Sequence, residues 1–178
     1  MTQSHTAGAT RPLVVLVGPP GSGKTTVGRA LARLTGSTLR DTDADIAAAA
    51  GRPIPDIFFT DGEPAFRDME RAAVAAALAE HSGVLALGGG AVLAPENRAL
   101  LRGHTVVFLS VTMPTGVKRT GLASNRPLLT GVNPRATYKS LLNARMGLSE
   151  EGATIVVGTD DLTVNQVAET IAEKLALV

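Results

Sequence analysis

The sequence of 178 residues contains no cysteine and no tryptophan, and it has only one tyrosine and four phenylalanines. The absence of cysteine excludes disulfide bonds and thiolate chemistry, and it agrees with a cytoplasmic location. Because aromatic side chains are scarce, the core must be built from Ala, Val and Leu, which suits helices packed closely on a parallel sheet. No apolar run reaches the roughly 20 residues of a transmembrane helix, so we expect no membrane partner.

An excess of positive charge is also missing. The formal net charge is +1 and charged residues make up 19% of the chain, which argues against nucleic acid as a partner. The length fits one domain with a substantial core. Residues 1–11 are small and polar and lack the apolar segment of a signal peptide, so we predict a disordered leader before a single domain at 12–178.

Short apolar runs alternate with helical patterns along the chain. Strands are predicted at 13–17, 38–40, 84–87, 105–109 and 155–157, and helices after the turn at 18–25, at 43–50, 62–80 and 95–101, from Pro114, at 135–145 and at 164–175. This alternation predicts an α/β sandwich with a parallel sheet and right-handed crossovers. Ligands of such folds bind at the carboxyl ends of the strands, where we expect the site.

A glycine-rich segment follows the first predicted strand. Residues 18–25 read Gly-Pro-Pro-Gly-Ser-Gly-Lys-Thr, which matches G-x-x-x-x-G-K-[ST] between a strand and a helix, the context that this motif requires. The glycines let several backbone N–H groups face a phosphate, and the helix N-terminus adds a favourable dipole. Lys24 is the expected cation for the β- and γ-phosphates and Thr25 the expected hydroxyl for Mg²⁺. The motif therefore predicts nucleotide binding but does not identify the phosphate acceptor.

Two carboxylates, Asp41 and Asp43, close the second predicted strand. From there they can reach the phosphates, where one could hold a metal-bound water and the other could accept hydrogen bonds from substrate hydroxyls. Asp is equally common as a helix N-cap, so both interpretations stay open from these residues alone.

Three consecutive glycines, Gly88, Gly89 and Gly90, end the third predicted strand. They could present backbone N–H groups to a polyol, or they could form a flexible turn. The acidic residue with which P-loop ATPases often activate water is absent at this strand end, which favours transfer to a bound alcohol. On the long helix before this strand, Glu63 and Arg67 have i, i+4 spacing, and a solvent-exposed salt bridge is their default interpretation.

A loop rich in Gly, Pro, Ser and Asn at 121–133 carries Arg126. This composition suits a lid that closes over ATP and neutralises the transferring phosphoryl group, with a plain surface loop as the alternative. Arg145 ends the next predicted helix, a position where a cation is favoured electrostatically in any case.

Together these segments resemble the shikimate kinase family. The resemblance extends from Leu13 to about Arg145 and rests on short motifs in the same order and at similar spacing. They are the P-loop at 18–25, Asp-Thr-Asp at 41–43, Ile-Phe at 57–58, Asp-Gly-Glu at 61–63, Phe-Arg at 66–67, Glu70, Leu-Gly-Gly-Gly-Ala at 87–91, Arg-Pro-Leu-Leu at 126–129 and Arg145. Each motif except the P-loop is weak alone, and the combination is specific.

The resemblance implies a P-loop NTPase fold of the nucleoside monophosphate kinase type, a three-layer sandwich with a five-stranded parallel sheet. It also implies a monomeric cytoplasmic enzyme of aromatic amino-acid biosynthesis. This enzyme would transfer the γ-phosphate of ATP, with Mg²⁺, to the 3-hydroxyl of shikimate and release shikimate 3-phosphate.

Roles for individual residues follow from the same resemblance. Asp43 would bind the shikimate hydroxyls and help to remove the proton from the attacking one, and Arg67 and Arg145 would bind the carboxylate. Gly88, Gly89 and Gly90 would line the ring pocket, and Asp41 would hold a water on the Mg²⁺ that Thr25 ligates. Arg126 would join Lys24 as a catalytic cation, and Arg119 would lie against adenine. The expected ATP site comprises Gly21, Ser22, Gly23, Lys24, Thr25, Thr26, Arg119 and Arg126.

Two segments depart from the family pattern. Members usually continue after the Arg145 position with one residue and then Pro-Leu-Tyr, whereas residues 146–151 read Met-Gly-Leu-Ser-Glu-Glu. We expect Gly147 to end the helix and the two glutamates to compete for Arg145, which would weaken acceptor binding. Residues 160–164 also lack the Arg and Pro that often pack on adenine.

Two other functions stay open. One is a kinase for another small hydroxy acid such as gluconate, which also has a carboxylate and hydroxyls. The other is a nucleotide-binding regulator without catalysis, against which the intact set of Lys24, Thr25, Asp41, Asp43 and Arg126 argues.

Overall fold

The computed structural model describes residues 10–120, 134–151 and 154–178. The strands are β1 Val14–Val17, β2 Leu39–Asp41, β3 Val84–Ala86, β4 Val106–Ser110 and β5 Thr154–Gly158. They form one sheet in the order β2-β3-β1-β4-β5, and each neighbouring pair is parallel. The prediction of a five-stranded parallel sheet is confirmed, and the boundaries lie within one residue of those predicted.

Helices connect these strands. They are α1 Lys24–Leu34, α2 Thr42–Ala50, α3 Ile54–Glu80, α4 Pro95–Leu101, α5 Met113–Thr120, α6 Pro134–Glu150 and α7 Val164–Lys174, with a 3₁₀ turn at Ala91–Leu93. Most bounds agree with the predicted helices, and α3 and α6 depart from them. Among the described residues, no helix is long and apolar enough to span a membrane.

Helix α3 begins earlier than predicted, at Ile54 instead of Gly62. Pro53 occupies the N-cap position and Pro55 lies in the first turn, where the fixed φ of proline favours a helix start. Gly62 then interrupts the helical conformation with φ 84° and ψ 169°, so α3 consists of two segments on either side of this residue. The early start escaped the sequence interpretation because these prolines resemble loop punctuation.

Helix α6 continues past Arg145 to Glu150, and the expectation that Gly147 would end it is wrong. Leu141, Ala144 and Leu148 recur at helical spacing and all three are buried. A helical glycine costs only about 1 kcal/mol relative to alanine, and burying one leucine stabilises by about 1.5–3 kcal/mol. Packing of Leu148 therefore outweighs the weak helix propensity of Gly147.

The core has two layers because side chains alternate along each strand. In β1, Val14 and Leu16 face α1 and α7, while Val15 and Val17 face α3, α4 and α6. All four side chains are at most 1% exposed. A parallel sheet covered by helices on both faces is the predicted three-layer sandwich.

A third, smaller apolar cluster lies beside the sheet and joins α2 to α3. Ile46, Ile57 and Phe66 form its buried centre, and Phe58 packs against them. The rings of Phe58 and Phe66 are 4.5 Å apart between centroids. This cluster fixes the first segment of α3 next to the carboxyl ends of β2 and β3, where the candidate site lies.

Candidate active site

The glycine-rich segment curls between β1 and the start of α1, as its motif predicts. Gly21 has φ +81°, a conformation that favours glycine, and a Cβ there would lie 2.8 Å from the Gly116 carbonyl oxygen. Gly21 therefore allows both the turn and the close approach of α5. Ser22 is buried, and its hydroxyl has no hydrogen-bond partner among the described residues.

Lys24 opens α1 and its side chain returns to the loop that precedes it. The ammonium donates to the carbonyl oxygens of Gly18, at 2.8 Å, and Pro19, at 3.1 Å. The residue is only 9% exposed. These bonds hold the charge beside the loop, where a bound phosphate would find it.

A small cavity of about 150 Å³ lies against this loop. We call it the phosphate cavity. Its lining includes Gly21, Gly23, Lys24, Thr25, Thr26, Asp41, Asp43 and Gly89. The structure thus collects the predicted phosphate ligands and both predicted carboxylates around one space.

Asp41 uses its two carboxylate oxygens for different purposes. Oδ2 accepts a hydrogen bond from the Thr25 hydroxyl at 2.7 Å, and Oδ1 accepts one from the Asp43 backbone N–H at 2.9 Å. The second bond caps α2. The capping and the functional interpretations of Asp41 are therefore compatible, and capping holds the carboxylate beside Thr25.

This pair of oxygen donors fits Mg²⁺, which prefers hydroxyl, carboxylate and water oxygens. The Thr25 proton points to Asp41, so a lone pair of its oxygen stays available for a cation. Within residues 10–120, 134–151 and 154–178, no group of three His, Cys, Asp or Glu side chains could hold a metal by itself. A divalent ion would accordingly arrive with phosphate oxygens as further ligands.

A larger cavity of about 350 Å³ opens next to the phosphate cavity. We call it the acceptor cavity. Phe58, Phe66 and Arg67 of α3 line it together with Asp43 and Gly89, and Thr25, Asp43 and Gly89 also line the phosphate cavity. The two cavities share a wall at these three residues, so groups bound in each would meet beside the Asp43 carboxylate.

Arg67 is held by two carboxylates of its own helix. Its Nη1 lies 2.7 Å from Glu70 Oε1, and its Nη2 lies 3.4 Å from Glu63 Oε1. The Glu63 salt bridge predicted from spacing exists, but the shorter contact is the one to Glu70, whose side chain is 1% exposed. The Phe66 ring lies 5.4 Å below the guanidinium, within cation–π range. Arg67 is thus oriented at the cavity wall.

Glu70 is the residue that the sequence interpretation undervalued. Burial raises the pKa of its carboxyl, and the adjacent Arg67 opposes that rise. A buried acid one turn after a cavity arginine positions that arginine through a charge-assisted hydrogen bond. Its i, i+3 spacing from Arg67 was visible in the sequence, but nothing there distinguished this pair from an exposed one.

The three glycines after β3 permit very close contacts. A Cβ on Gly88 would lie 2.6 Å from Asp43 Oδ1, one on Gly89 would lie 2.9 Å from a Pro20 ring carbon, and one on Gly90 would lie 2.8 Å from Arg67 Nη2. Any side chain would displace the acid, the loop or the guanidinium. Of the two open interpretations, close approach of site groups fits better than a flexible turn.

A third cavity, of about 190 Å³, lies on the other side of the glycine-rich loop. Arg119 donates to the carbonyl oxygens of Gly21, at 3.2 Å, and Thr159, at 3.1 Å, and so joins the loop to the residue that follows β5. Leu162 and Val164 supply apolar lining. These two side chains occupy the segment in which the family's Arg and Pro are missing.

Comparison with known proteins assigns the chain to a family. The family model described as shikimate kinase matches residues 20–176. The chain belongs to the shikimate kinase family. A shikimate kinase of Saccharopolyspora erythraea is 57% identical over 164 residues, which cover 92% of this chain and 94% of that protein.

Solved structures agree with this shikimate kinase assignment. A shikimate kinase from Acinetobacter baumannii in complex with shikimate has a TM-score of 0.83 and 35% identity, covering 94% of this chain and 93% of that one. A gluconokinase from Sinorhizobium meliloti has a TM-score of 0.58 at 20% identity, covering 95% and 94% of the two chains, and this likeness concerns the fold alone.

The segment that departs from the shikimate kinase pattern has its own contacts. Gly147 packs beside Arg98, and a Cβ there would meet Arg98 Nε at 3.6 Å, an ordinary contact distance. Glu151 forms an ion pair with Arg102 at 3.4 Å, and no ion pair of the described residues involves Arg145. The predicted competition of Glu150 and Glu151 for Arg145 is therefore wrong in this structure.

Of the remaining predicted site residues, one stands apart from the cavities and one lies outside the described residues. Arg145 is partly buried on α6 and is not among the described residues that line the acceptor cavity. Arg126 and the predicted lid at 121–133 lie outside the described residues, as do most of the predicted leader, residues 1–9.

Proposed function

We propose that this chain transfers the γ-phosphoryl group of ATP to the 3-hydroxyl of shikimate and releases ADP and shikimate 3-phosphate. The observation that carries this proposal is the wall shared by the phosphate and acceptor cavities, formed by Thr25, Asp43 and Gly89. A hydroxyl held in one cavity is adjacent to a phosphate held in the other, as in-line transfer requires.

Asp43 accepts hydrogen bonds from the shikimate hydroxyls and takes the proton of the attacking one. This role is supported by the position of Asp43 in the lining of both cavities, which is where the acceptor oxygen and the transferred phosphate would meet. Lys24 neutralises the β- and γ-phosphates from its place beside the glycine-rich loop.

Shikimate is oriented by its carboxylate and its ring. Arg67 offers a guanidinium that Glu70 and Phe66 hold at the cavity wall, and a planar fork fixes direction as well as charge. Arg145 would supply a second guanidinium, a role that rests on the family resemblance because Arg145 does not line the acceptor cavity here. The backbone of Gly88, Gly89 and Gly90 lines the ring, because the absence of side chains there lets the ring approach the strand end.

The nucleotide extends from the phosphate cavity, which holds its phosphates, to the third cavity on the other side of the glycine-rich loop, which holds its base. Gly21, Ser22, Gly23, Thr25 and Thr26 surround the phosphates and Arg119 lies against the base. For Arg126 we retain the role that the family resemblance implies, a cation for the transferring phosphoryl group. Mg²⁺, bound through Thr25 and through a water on Asp41, would stabilise the negative charge of the phosphates.

The decisive experiment is a coupled assay of ADP release with purified protein, with and without shikimate and with and without Mg²⁺. We expect release that requires both, and a phosphorylated product that mass spectrometry and NMR identify as the 3-phosphate. Equal release without an acceptor would indicate an ATPase. Absence of release with every acceptor, together with retained nucleotide binding, would indicate the regulator.

A panel of hydroxy acids separates shikimate from its rival. Gluconate offers a carboxylate and hydroxyls on an open chain, whereas the acceptor cavity presents two aromatic rings and a glycine wall that suit a compact ring. We expect the kcat/KM for shikimate to exceed that for gluconate by at least about a hundredfold. A preference for gluconate would overturn the acceptor assignment and leave the kinase assignment intact.

We further propose that the chain acts as a monomer in the cytoplasm. All the cavity walls described here come from one chain, so no second copy is needed to complete them. Sedimentation velocity at working concentration checks this, and a stable dimer would contradict it.

A further inference from the structure

A threonine between the two site carboxylates is the most deeply buried polar group beside the cavities. Thr42 follows the last residue of β2, opens α2, and is 0% exposed. Its hydroxyl oxygen accepts a hydrogen bond from the Gly88 backbone N–H at 3.2 Å. Thr42 is in the lining of neither cavity, and the roles proposed above for its neighbours Asp41 and Asp43 do not involve its side chain.

The position of this bond follows from the register of the sheet. Along β3 the backbone N–H groups alternate in direction, with Val84 donating to Thr38 of the β2 side at 2.9 Å and Leu87 donating to Leu16 of β1 at 3.0 Å. Gly88 lies four residues after Val84 and therefore also points to the β2 side. Its partner in a continued ladder would be the carbonyl of residue 42.

That carbonyl is not available, because the chain turns into α2 at Thr42. The Thr42 side chain replaces it and supplies the acceptor from the same residue. The last hydrogen bond between the β2 and β3 segments is thus accepted by a hydroxyl. It lies at the carboxyl ends of both strands, beside the site.

The glycine fixed by this bond is in contact with the acceptor machinery. A Cβ on Gly88 would lie 2.6 Å from Asp43 Oδ1 and 3.1 Å from Glu70 Oε2, so both carboxylates pack directly on its backbone. Two residues further, Gly90 packs equally closely on the Arg67 guanidinium. A shift of Gly88 would change the spacing between the acid and the guanidinium.

We propose that Thr42 is a positioning residue that holds Gly88 against Asp43 and so sets the geometry of the acceptor cavity. The expected change in kinetics rests on the function proposed above. The hydrogen bond between Thr42 and Gly88 can be tested without any substrate. Because the bond joins elements of the acceptor side, its loss affects the acceptor and leaves nucleotide binding nearly unchanged.

The test compares Thr42→Val with Thr42→Ser. Valine keeps the size and branching but leaves the buried Gly88 N–H without an acceptor, and serine keeps the hydroxyl while losing the methyl group. We expect Thr42→Val to lower kcat/KM for the acceptor about 10- to 100-fold, with the KM for ATP within about threefold of the parent. Thr42→Ser should stay within about threefold on both substrates.

Thr35→Val serves as the matched control. Its hydroxyl bonds to the Leu31 carbonyl oxygen at the end of α1 and to the Ser37 hydroxyl, so the same substitution removes side-chain hydrogen bonds away from both cavities. Stability should fall in this variant without a change in either KM. Should Thr42→Val fail to fold, Thr42→Ala measured against Thr42→Ser gives the same contrast.

Hydrogen exchange of the Gly88 amide is the readout that needs no activity. We expect slow exchange in the parent and in Thr42→Ser, and much faster exchange in Thr42→Val. The proposal is overturned if Gly88 stays protected in Thr42→Val, if serine is as impaired as valine, or if both KM values rise together. A parent without shikimate activity would instead refute the proposed function, and the exchange result would still decide the role of Thr42.

Discussion

The two sides of the candidate site are built differently. The phosphate side consists largely of one continuous segment, in which loop backbone and Lys24 surround a cavity of about 150 Å³. The acceptor side, a cavity of about 350 Å³, takes its walls from α2, α3, two glycines after β3, and Pro20 and Thr25 of the P-loop. Backbone geometry dominates the first side, and side-chain positioning dominates the second.

This difference determines where the site is vulnerable. Because backbone groups form most of the phosphate side, side-chain substitutions there should impair function mainly at its few charged residues. An acceptor cavity assembled from distant elements depends also on residues that hold other residues, such as Glu70 behind Arg67. We therefore expect substitutions on the phosphate side to lower mainly kcat. Substitutions on the acceptor side should also raise the KM for the acceptor.

Removal of the phosphate-side cation should have the largest effect. Lys24→Ala deletes the charge beside the γ-phosphate, and we expect kcat to fall about 10²–10³-fold, equivalent to about 3–4 kcal/mol. The fold should persist, because the two hydrogen bonds to the carbonyl oxygens of Gly18 and Pro19 lie within the glycine-rich loop and outside the apolar core. Steady-state kinetics and thermal denaturation measure both effects, with Lys118→Ala on the exposed face of α5 as control. Near-parental turnover in Lys24→Ala would contradict the assigned role.

Asp43 belongs to both cavities, so its substitution decides to which side it contributes. Asp43→Asn keeps the shape and removes the base, and we expect kcat to fall about a hundredfold with the dissociation constant of ATP nearly unchanged. Asp45→Asn is the matched control, since Asp45 lies on the same helix and pairs with Arg40. If ATP affinity collapsed while turnover survived, Asp43 would belong to the nucleotide.

Arg67 tests the affinity of the acceptor side. Arg67→Ala should raise the KM for shikimate about 10- to 30-fold and should reduce the preference for shikimate over its neutral carboxamide analogue. Arg71→Ala on the same helix removes a guanidinium paired with Asp68 and should change neither quantity. An unchanged preference in Arg67→Ala would leave Arg67 as a structural salt-bridge residue only.

Titratable groups on the two sides contribute to the pH dependence of stability with opposite signs. Burial raises the pKa of Glu70 above its ordinary value of 4.5, so the folded state keeps a proton that the unfolded state has released. The free energy of unfolding should therefore decrease as pH rises from about 4.5 through the raised pKa, by about 1.4 kcal/mol per unit of elevation. Denaturation between pH 4.5 and 8 checks this slope, which Glu70→Gln should flatten.

On the nucleotide side the sign reverses. The Thr112 hydroxyl and backbone N–H donate to Asp160 and lower the pKa of its carboxyl below 3.8. The stability from this contact is present above about pH 3.8 and is lost as pH falls through the lowered pKa. Asp160→Asn should lower the free energy of unfolding above about pH 3.8 and flatten its fall on the acid limb, and an unchanged acid limb would contradict the assignment.

The smallest expected effect concerns the helix that carries Arg145. Gly147→Ala should stabilise the chain by about 0.5–1 kcal/mol, because alanine favours a helix and a Cβ would meet Arg98 at an ordinary 3.6 Å. Gly147→Pro should instead destabilise by about 3 kcal/mol or more, since α6 is continuous at this residue. Chemical denaturation measures both, and a stabilising proline would show that the helix ends here after all.

The sequence interpretation succeeded where chemistry is local. The P-loop, the five strands and the carboxylates after β2 are each defined by neighbouring residues, and the structure places them as predicted. It failed where distant packing decides. The burial of Leu148 extends α6, and the burial of Glu70 turns an i, i+3 pair into a support for Arg67.

The hydrogen-bond partners of Asp41 could not be predicted from the sequence either. Asp41 and Asp43 were two carboxylates with open roles, and only the structure shows that Asp41 both caps α2 and accepts the Thr25 hydroxyl. Likewise, the sequence did not distinguish Leu162 and Val164 from ordinary residues at the start of a helix. The structure shows that both line the third cavity.

The break at Gly62 separates two tasks that one continuous helix would couple. The first segment of α3 carries Phe58 at the cavity wall, and the second carries Arg67 and Glu70. Substitutions or small insertions in the first segment can remodel the wall while the arginine keeps its place against the glycines. An engineer seeking a different acceptor would accordingly exchange residues 53–61 as one unit, and selection acting on the family could use the same modularity.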